Sequence, residues 1–331
     1  MSTSASLKPY IETLIAGERS LTSEETKAAF SEILQGADEV QVGSLLTLLR
    51  ARGETPAEIA GMVQAMNDAC RPVKLGNQKL LDIVGTGGDG ADTINISTAS
   101  TVLSAACGCV VAKAGNRSVS SACGSADVLE ALGVKVDLEP SQVEECVDKV
   151  KIAFMFAPVN HPAMKYVAPV RKKLGVRTVF NILGPMTNAA GAQHAVIGVF
   201  HPELMPLMAG ALQQVGRVDH AVIIHGVGLD EISPLDVGIP RCELIDLKGG
   251  GPKENADKFV AVLQGGDHTD AKRDSIVLNA GVGCYVYGLT PTIEEGCALA
   301  RKTLEEGKAA DLLQEWIKVS QKVASSETAK A

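Results

Sequence analysis

The chain has 331 residues, 46% of them hydrophobic and 21% charged, with a formal net charge of −8 at pH 7. That length suits about two domains and a sizeable core, and the composition is that of an ordinary globular protein. The negative balance argues against a general nucleic-acid binder, which needs a basic stripe for phosphate contacts. No run of about 20 uninterrupted apolar residues is long enough to span a membrane. The first residues lack the apolar centre of a signal peptide and the Arg-rich character of a transit peptide. The eight cysteines are scattered, and the close pair Cys107 and Cys109 lacks zinc-site spacing, so they read as reduced, packed thiols. A reducing, cytoplasmic location is the expectation.

The chain opens with short amphipathic helices over 7–17, 22–36 and 39–53, whose apolar residues recur at spacings of three and four and which close on glycine. A fourth, over 55–70, starts on Thr55, Pro56 and Glu58, a favourable helix entry. From 79 onward the rhythm becomes strand, glycine turn, helix. Strands are expected over 79–85, 107–115, 151–157, 194–200 and 218–226, with helices over 126–133, 141–150 and 202–216. Such alternation argues for a parallel or mixed sheet wrapped by helices. The C-terminal part is helical again and ends in a polar tail, 324–331, expected to be disordered. A small helical domain, 1–72, would pack against a large α/β domain, 73–331, with a helical segment over about 158–190 joining the small one. Ligand sites favour such junctions.

The stretch GTGGDGADTINIST, 85–98, holds the chemistry. Gly85, Gly87 and Gly90 satisfy G-x-G-x-x-G after a strand, but a dinucleotide site also needs an acidic residue about 20 positions on. Here the second strand runs instead into Lys113 and a polar loop, and the helix starts only near Ser97. Loop amides, the hydroxyls of Thr93, Ser97 and Thr98, and that helix start favour anionic oxygens. Lys113, Asn116, Arg117, Ser118, Ser120, Ser121 and Ser125 add cations and hydroxyls from the next loop. Asp89 and Asp92 would repel phosphate unless the ligand also brings ribose hydroxyls or hydrated Mg2+. Asp230 and Glu231 follow an apolar strand at its carboxyl end, where ligands collect, or form an exposed acidic turn. Arg171 stands beside Lys172 and Lys173, a run that is also compatible with a solvated helix face. His161, before Pro162, serves equally as a cap for the following helix.

The motifs GTGGD, NIST, KAGNRSVSSACGSADVLEALG, FAPVNHPAMKYVAPVRKKLGVRTVFNILGPMTN and GLDEISP occur in the order and spacing of one family. The sequence resembles the anthranilate phosphoribosyltransferases of tryptophan biosynthesis over about residues 7–320, in the manner of plant and algal members, for which a plastid stroma replaces the cytoplasm. The resemblance implies a nucleoside phosphorylase-like fold: a small all-helical domain and a large α/β domain with a mixed, mainly parallel sheet, dimeric through the helical domain. It implies transfer of 5-phosphoribose from phosphoribosyl pyrophosphate (PRPP) to the amino group of anthranilate, with Mg2+ as cofactor and with neither nucleic acid nor membrane as partner.

Carried over residue by residue, the PRPP site comprises Gly85, Gly88, Asp89, Thr93, Asn95, Ile96, Ser97, Thr98, Lys113, Gly115, Asn116, Arg117, Ser118, Ser120, Ser121 and Ser125. The resemblance assigns Mg2+ to Ser97, Asp230 and Glu231. It places anthranilate at Gly85, Asn116, His161, Arg171 and Pro185, and gives Lys113, Asp89 and Asn116 the catalytic roles. Two departures stand out: Ala114 replaces the histidine of bacterial members, and a segment that the family carries after Leu235 is missing. The alternatives are a pyrimidine nucleoside phosphorylase-like enzyme, a nucleic-acid-binding relative, and a catalytically impaired relative shortened at that point.

Overall fold

The computed structural model describes residues 6–118, 121–226, 228–232, 239–265 and 270–328. Four helices come first: α1 (Lys8–Ala16), α2 (Ser23–Leu34), α3 (Glu39–Arg52) and α4 (Pro56–Asp68). Their starts follow from side chains that satisfy the unpaired first-turn N–H groups. Thr22 and Glu25 form a capping box on α2, Thr55 and Glu58 form another on α4, and Asp38 caps α3 through the N–H groups of Val40 and Gln41. Glu58 is fully buried, accepts from the Leu21 N–H at 3.0 Å and pairs with Arg52. One carboxylate thereby ties three segments together.

The body then alternates β1 (Leu81–Gly85), α5 (Ile96–Ala106), β2 (Val111–Gly115), α6 (Ser125–Leu132), α7 (Pro140–Val150), β3 (Ile152–Phe156), α8 (Ala157–Asn160) and α9 (Met164–Leu174). It continues with β4 (His194–Gly198), α10 (Leu204–Val215), β5 (His220–Ile224), α11 (Pro252–Leu263), α12 (Ala271–Tyr287), α13 (Ile293–Glu305) and α14 (Lys308–Thr328). All five expected strands are present, in the order β3-β2-β1-β4-β5, and every pairing is parallel. The expectation of a mixed sheet is thus narrowed. Among the described residues, antiparallel pairing is confined to the bridges Thr93–Lys248 and Gly226–Leu229.

Strand order reverses between β1 and β4. Loops leaving their carboxyl ends diverge there and open a crevice, the position where ligands enter open α/β sheets. Alternate residues of the strands feed two cores, as a period of two requires. Ala195, Ile197 and Val199 pack with α1–α4, α9 and α10, whereas Leu81, Ile83 and Val196 pack with α5–α7 and α11–α14.

The tail departs from expectation: α14 runs to Thr328. Trp316 and Val323 are buried, Gln142 donates to the Val323 carbonyl at 3.1 Å and Lys135 N–H to Ser320 Oγ at 3.1 Å. Packing on α7 holds a helix that its polar end had concealed. All eight cysteines are free thiols, and no helix of the described residues is long and apolar enough to cross a membrane.

Candidate active site

Gly85 and Gly198 are register partners at the carboxyl ends of β1 and β4. A Cβ at Gly198 would collide with the Asp230 carbonyl, and one at Gly85 with its carboxylate. The two glycines therefore leave the slot in which Asp230 sits. Asp230 Oδ2 accepts from the Gly87 N–H at 2.6 Å, and the Asp230 N–H donates to Asp89 Oδ2 at 3.2 Å. Asp89 also takes the Ala91 N–H at 3.1 Å. The glycine loop needs positive φ at Gly87, Gly88 and Gly90 (64°, 80° and 75°), which only glycine adopts without strain. At its base, Thr86 N–H donates to the Gly198 carbonyl (2.9 Å) and Thr86 Oγ1 accepts from Phe200 (3.1 Å).

Asp92, one of the two aspartates that seemed at odds with an anion site, is structural. Its φ of 47° turns the chain, and its Oδ1 accepts from the Ala122 N–H at 3.1 Å, joining the loop after β1 to the loop after β2. Asn95 is similarly committed: it donates to the Cys123 carbonyl and accepts from Asn255, both at 3.0 Å. Glu231, 8% exposed, accepts from the Ser97 N–H in the first turn of α5 at 3.0 Å. Thr98 Oγ1 donates to Ser125 Oγ at 2.9 Å, bringing the amino ends of α5 and α6 side by side. Two positive helix ends thus converge above the sheet.

Beneath them lies Lys113, 1% exposed, donating to the Ile83 carbonyl at 2.6 Å. Burial pushes its pKa down, opposed by the negative charges of Asp82, Glu231 and Asp230. The carboxylates shift the other way. Burial and then Asp89 raise Asp230 to about 6, while burial and then Asp230 raise Glu231 to about 8. Asp82 is raised to about 6 by burial, and it accepts from the Ala114 N–H at 3.2 Å and from Asn188 at 2.7 Å. Several carboxylates thus surround one buried ammonium. Like charges so placed resist ionisation until a further cation joins them. No group of three His, Cys, Asp or Glu among the described residues could hold a metal ion by itself. A cation shared with ligand phosphates fits this donor set, as Mg2+ typically binds through one or two carboxylates plus phosphates.

Residues 77–236 and 231–310 match the glycosyl transferase family, a/b domain, and residues 8–70 match the glycosyl transferase family, helical bundle domain. The chain is 46% identical to the anthranilate phosphoribosyltransferase of Methanosarcina acetivorans, across 91% of this chain and 86% of that one. Its fold superposes on the crystal structure of the Thermus thermophilus enzyme with a TM-score of 0.90 at 43% identity, covering 94% and 99% of the two chains. It also superposes on the Saccharomyces cerevisiae enzyme in complex with PRPP and Mg, with a TM-score of 0.89 at 29% identity, covering 96% and 98%. The chain belongs to the anthranilate phosphoribosyltransferase family.

The alignment to the Methanosarcina enzyme extends over 324 residues yet takes in only 91% of this 331-residue chain. The a/b-domain match comes in two pieces that overlap at 231–236. The junction at Leu235, like Ser120 of the second loop, lies outside the described residues.

That second loop, after β2, is wired to its own helix. Asp127 Oδ2 accepts from the N–H groups of Ser118 (2.9 Å) and Gly124 (2.8 Å). Arg117 binds Glu130 at 2.7 Å and Asp127 at 3.3 Å, so its guanidinium is held by carboxylates of α6. Asn116 accepts from the Arg117 N–H through Oδ1 at 2.8 Å and from the Ala126 N–H through its carbonyl at 3.2 Å. Ser118 and Ser121 bond to each other at 2.9 Å. Ile96 is buried, and Gly115 stands where a side chain would strike Phe154.

Helix α9, packed on α2 and α3, carries Arg171, half-buried over the Phe180 ring with 5.8 Å to its centroid. Burial lowers its pKa, and no carboxylate pairs with it among the described residues. His161 Nε2 bonds the Thr187 carbonyl at 3.0 Å, and burial holds its pKa down, favouring neutral imidazole. Pro185 is buried in the short 3-10 turn Gly184–Met186. Sequence reasoning missed Thr86, Asp82, Asn188 and Arg177. Asp82 had a signal, since an aspartate inside an apolar strand must find partners.

Proposed function

We infer that this chain transfers 5-phosphoribose from PRPP to the amino group of anthranilate, giving N-(5-phosphoribosyl)anthranilate and pyrophosphate. The observation that carries the reading is the convergence of the glycine loop and two helix amino ends on Asp89, Asp230 and Glu231 above one buried lysine. PRPP lies between the two loops, its anionic oxygens met by backbone N–H groups and by the hydroxyls of Thr93, Ser97 and Ser125, the last of which takes the Thr98 hydrogen and keeps its own to give. Ser97, Asp230 and Glu231 hold Mg2+, which when bound neutralises charge on the departing pyrophosphate. Lys113 acts from beneath, as a buried charge that balances this cluster, and Asn116 lines the space between donor and acceptor.

Arg171 is the fork for the anthranilate carboxylate, with Gly85, His161 and Pro185 around the ring. An aniline nitrogen is neutral at pH 7, so the chemistry needs positioning and leaving-group electrostatics rather than a strong base. The test is loss of anthranilate fluorescence with PRPP and Mg2+. In that assay Arg171→Ala raises the anthranilate requirement about tenfold or more, as loss of a charged bidentate pair would. A shift confined to PRPP would place Arg171 in the phosphate wall instead.

The division of the a/b-domain match in two at 231–236 supports a second reading: a folded enzyme with weakened Mg2+ binding and reduced turnover, because a segment lost after Leu235 would follow the metal pair closely. Inserting a family segment between Leu235 and Asp236 then raises the rate at low Mg2+, and an unchanged Mg2+ dependence counts against it. Residues 1–72, with 158–190, form the helical domain and 73–331 the α/β domain; the separate core of α1–α4 and α9 supports that division. The chain forms a homodimer through the helical domain. A groove of about 740 Å³ between α1, α3 and α9, with Ile15 67% and Val40 76% exposed, supports this face. The enzyme acts in the cytoplasm, or in the stroma if the source is a plant or alga.

A further inference from the structure

Arg177 follows the end of α9, outside every residue set assigned above. Its Nη2 donates to the carbonyl of Gly88, and its guanidinium lies over the Phe200 ring, 4.5 Å from the centroid. No carboxylate pairs with it among the described residues, so a delocalised cation is spent on one neutral carbonyl and one aromatic face. Both partners belong to the site: Gly88 is in the glycine loop, and Phe200 is the residue whose N–H holds Thr86 at that loop's base.

The carbonyl it holds is the one whose direction matters. Gly88 has φ of 80° and neighbours Gly87, so the backbone on one side of the Gly88–Asp89 peptide has little intrinsic preference. In a trans peptide the C=O and N–H point in opposite directions across one plane. Fixing the Gly88 carbonyl on Arg177 therefore fixes the Asp89 N–H away from it. That N–H has no partner among the described residues, whereas the Gly87, Ala91 and Asp230 N–H groups are all taken by carboxylates. A flipped peptide would present a carbonyl dipole, repulsive to an anion, in place of a donor.

We propose that Arg177 is a positioning residue that holds the Gly88–Asp89 peptide in the one orientation that offers the Asp89 N–H to an anionic oxygen of PRPP. This rests on the reading of the loop as the PRPP site. The effect falls on the donor substrate alone, since Arg177 touches neither Arg171 nor His161 in the structure's hydrogen bonds. Lysine also reaches a carbonyl as a charged donor, though as a point charge without the planar stack.

The test compares wild type, Arg177→Ala and Arg177→Lys by calorimetric titration with PRPP in the presence of Mg2+ and by steady-state kinetics. Arg177→Ala weakens PRPP binding about tenfold, with the PRPP KM rising in step and the anthranilate KM within about twofold of wild type. Its thermal midpoint stays that of wild type. Arg177→Lys recovers PRPP binding to within about threefold, because the charged donor to Gly88 is restored. PRPP binding unaltered in Arg177→Ala overturns the proposal. So does a rise in both KM values together with a lowered midpoint, which is the mark of a structural prop. A wild-type protein that neither binds PRPP nor consumes anthranilate overturns the functional reading itself. A wild type that does both, beside an unaltered Arg177→Ala, overturns only the role given to Arg177.

Discussion

The loops after β1 and β2 form opposite walls of one cleft and are held in opposite ways. The β2 loop is wired locally: Asp127, within ten positions of everything it binds, takes the Ser118 and Gly124 N–H groups and pairs with Arg117. The β1 loop is wired from far along the chain. Asp230 reaches Gly87 across 143 positions, Glu231 reaches Ser97 across 134, and Arg177 reaches Gly88 across 89. The locally wired wall is held mainly by its own helix, with Asp92 and Asn95 as its two links to the β1 loop. A remotely wired one exists only when the whole sheet is assembled, and it inherits any change in the segment after Glu231. The preorganisation of the proposed PRPP site therefore depends most on its least local contacts.

The largest break in that comparison comes from replacing Asp230 and Glu231 together by Ala. The β1 loop loses its carboxylate clamp and the proposed metal site at once, and activity falls by roughly 100-fold or more, since metal-ion stabilisation is worth several kcal/mol. The fold persists, because two buried like charges are removed rather than a favourable pair. Activity within a few-fold of the parent at saturating Mg2+ would mean that neither the clamp nor the metal assignment holds.

How far these walls were legible in the sequence follows the same division. The five strands were legible because short apolar runs, three of them closed by Gly85, Gly115 and Gly198, have few other readings. The first helices were legible from apolar residues at spacings of three and four, and the fourth also from Thr55, Pro56 and Glu58 at its start, all signals that act within a few residues. The donor-rich character of both loops was plain from composition. Their wiring was not, because no local signal says that Asp92 closes onto Ala122 or that Lys113 turns inward to Ile83. Nor does any local signal tie Arg177 to Gly88, 89 positions away. The last turns of α14 were hidden for the same reason, since Val323 and Ser320 are held by α7 and by residues near it, far back in the chain.

A smaller break lies in the other wall. Asp127→Ala strands the Ser118 and Gly124 N–H groups and frees Arg117 from one partner. The cost is about 1–3 kcal/mol of stability, the usual penalty for unpaired donors, read as a lower midpoint in urea or heat. PRPP binding falls only severalfold, because Thr98 and Ser125 still pin α5 to α6. If the loss of PRPP affinity matched that of the 230/231 double variant, the two walls would not differ as argued.

The smallest effect sharpens the comparison through pH and Mg2+, because the carboxylates of the β1 wall are held with raised pKa values by burial. Asp230 and Glu231 hold protons more tightly in the folded chain than in the unfolded one, Asp230 titrating near 6 rather than 3.8 and Glu231 near 8 rather than 4.5. Buried Asp82, near 6, adds to the same side. A carboxyl with a raised folded pKa contributes most favourably below its unfolded pKa, and its contribution falls as pH rises through the window to the folded value. Without Mg2+, this cluster therefore lowers stability progressively from about pH 4 to about pH 8, the opposite of the usual salt-bridged acid. A divalent cation that binds the ionised pair reverses the trend, since ligands that bind only the folded state stabilise it by mass action. The measurement is the thermal midpoint across that range, with and without Mg2+ and with the double Ala variant as control. The gain from Mg2+ grows with pH in the parent and is absent in the variant. A Mg2+ gain that is flat with pH, or that survives in the variant, would move the metal away from Asp230 and Glu231.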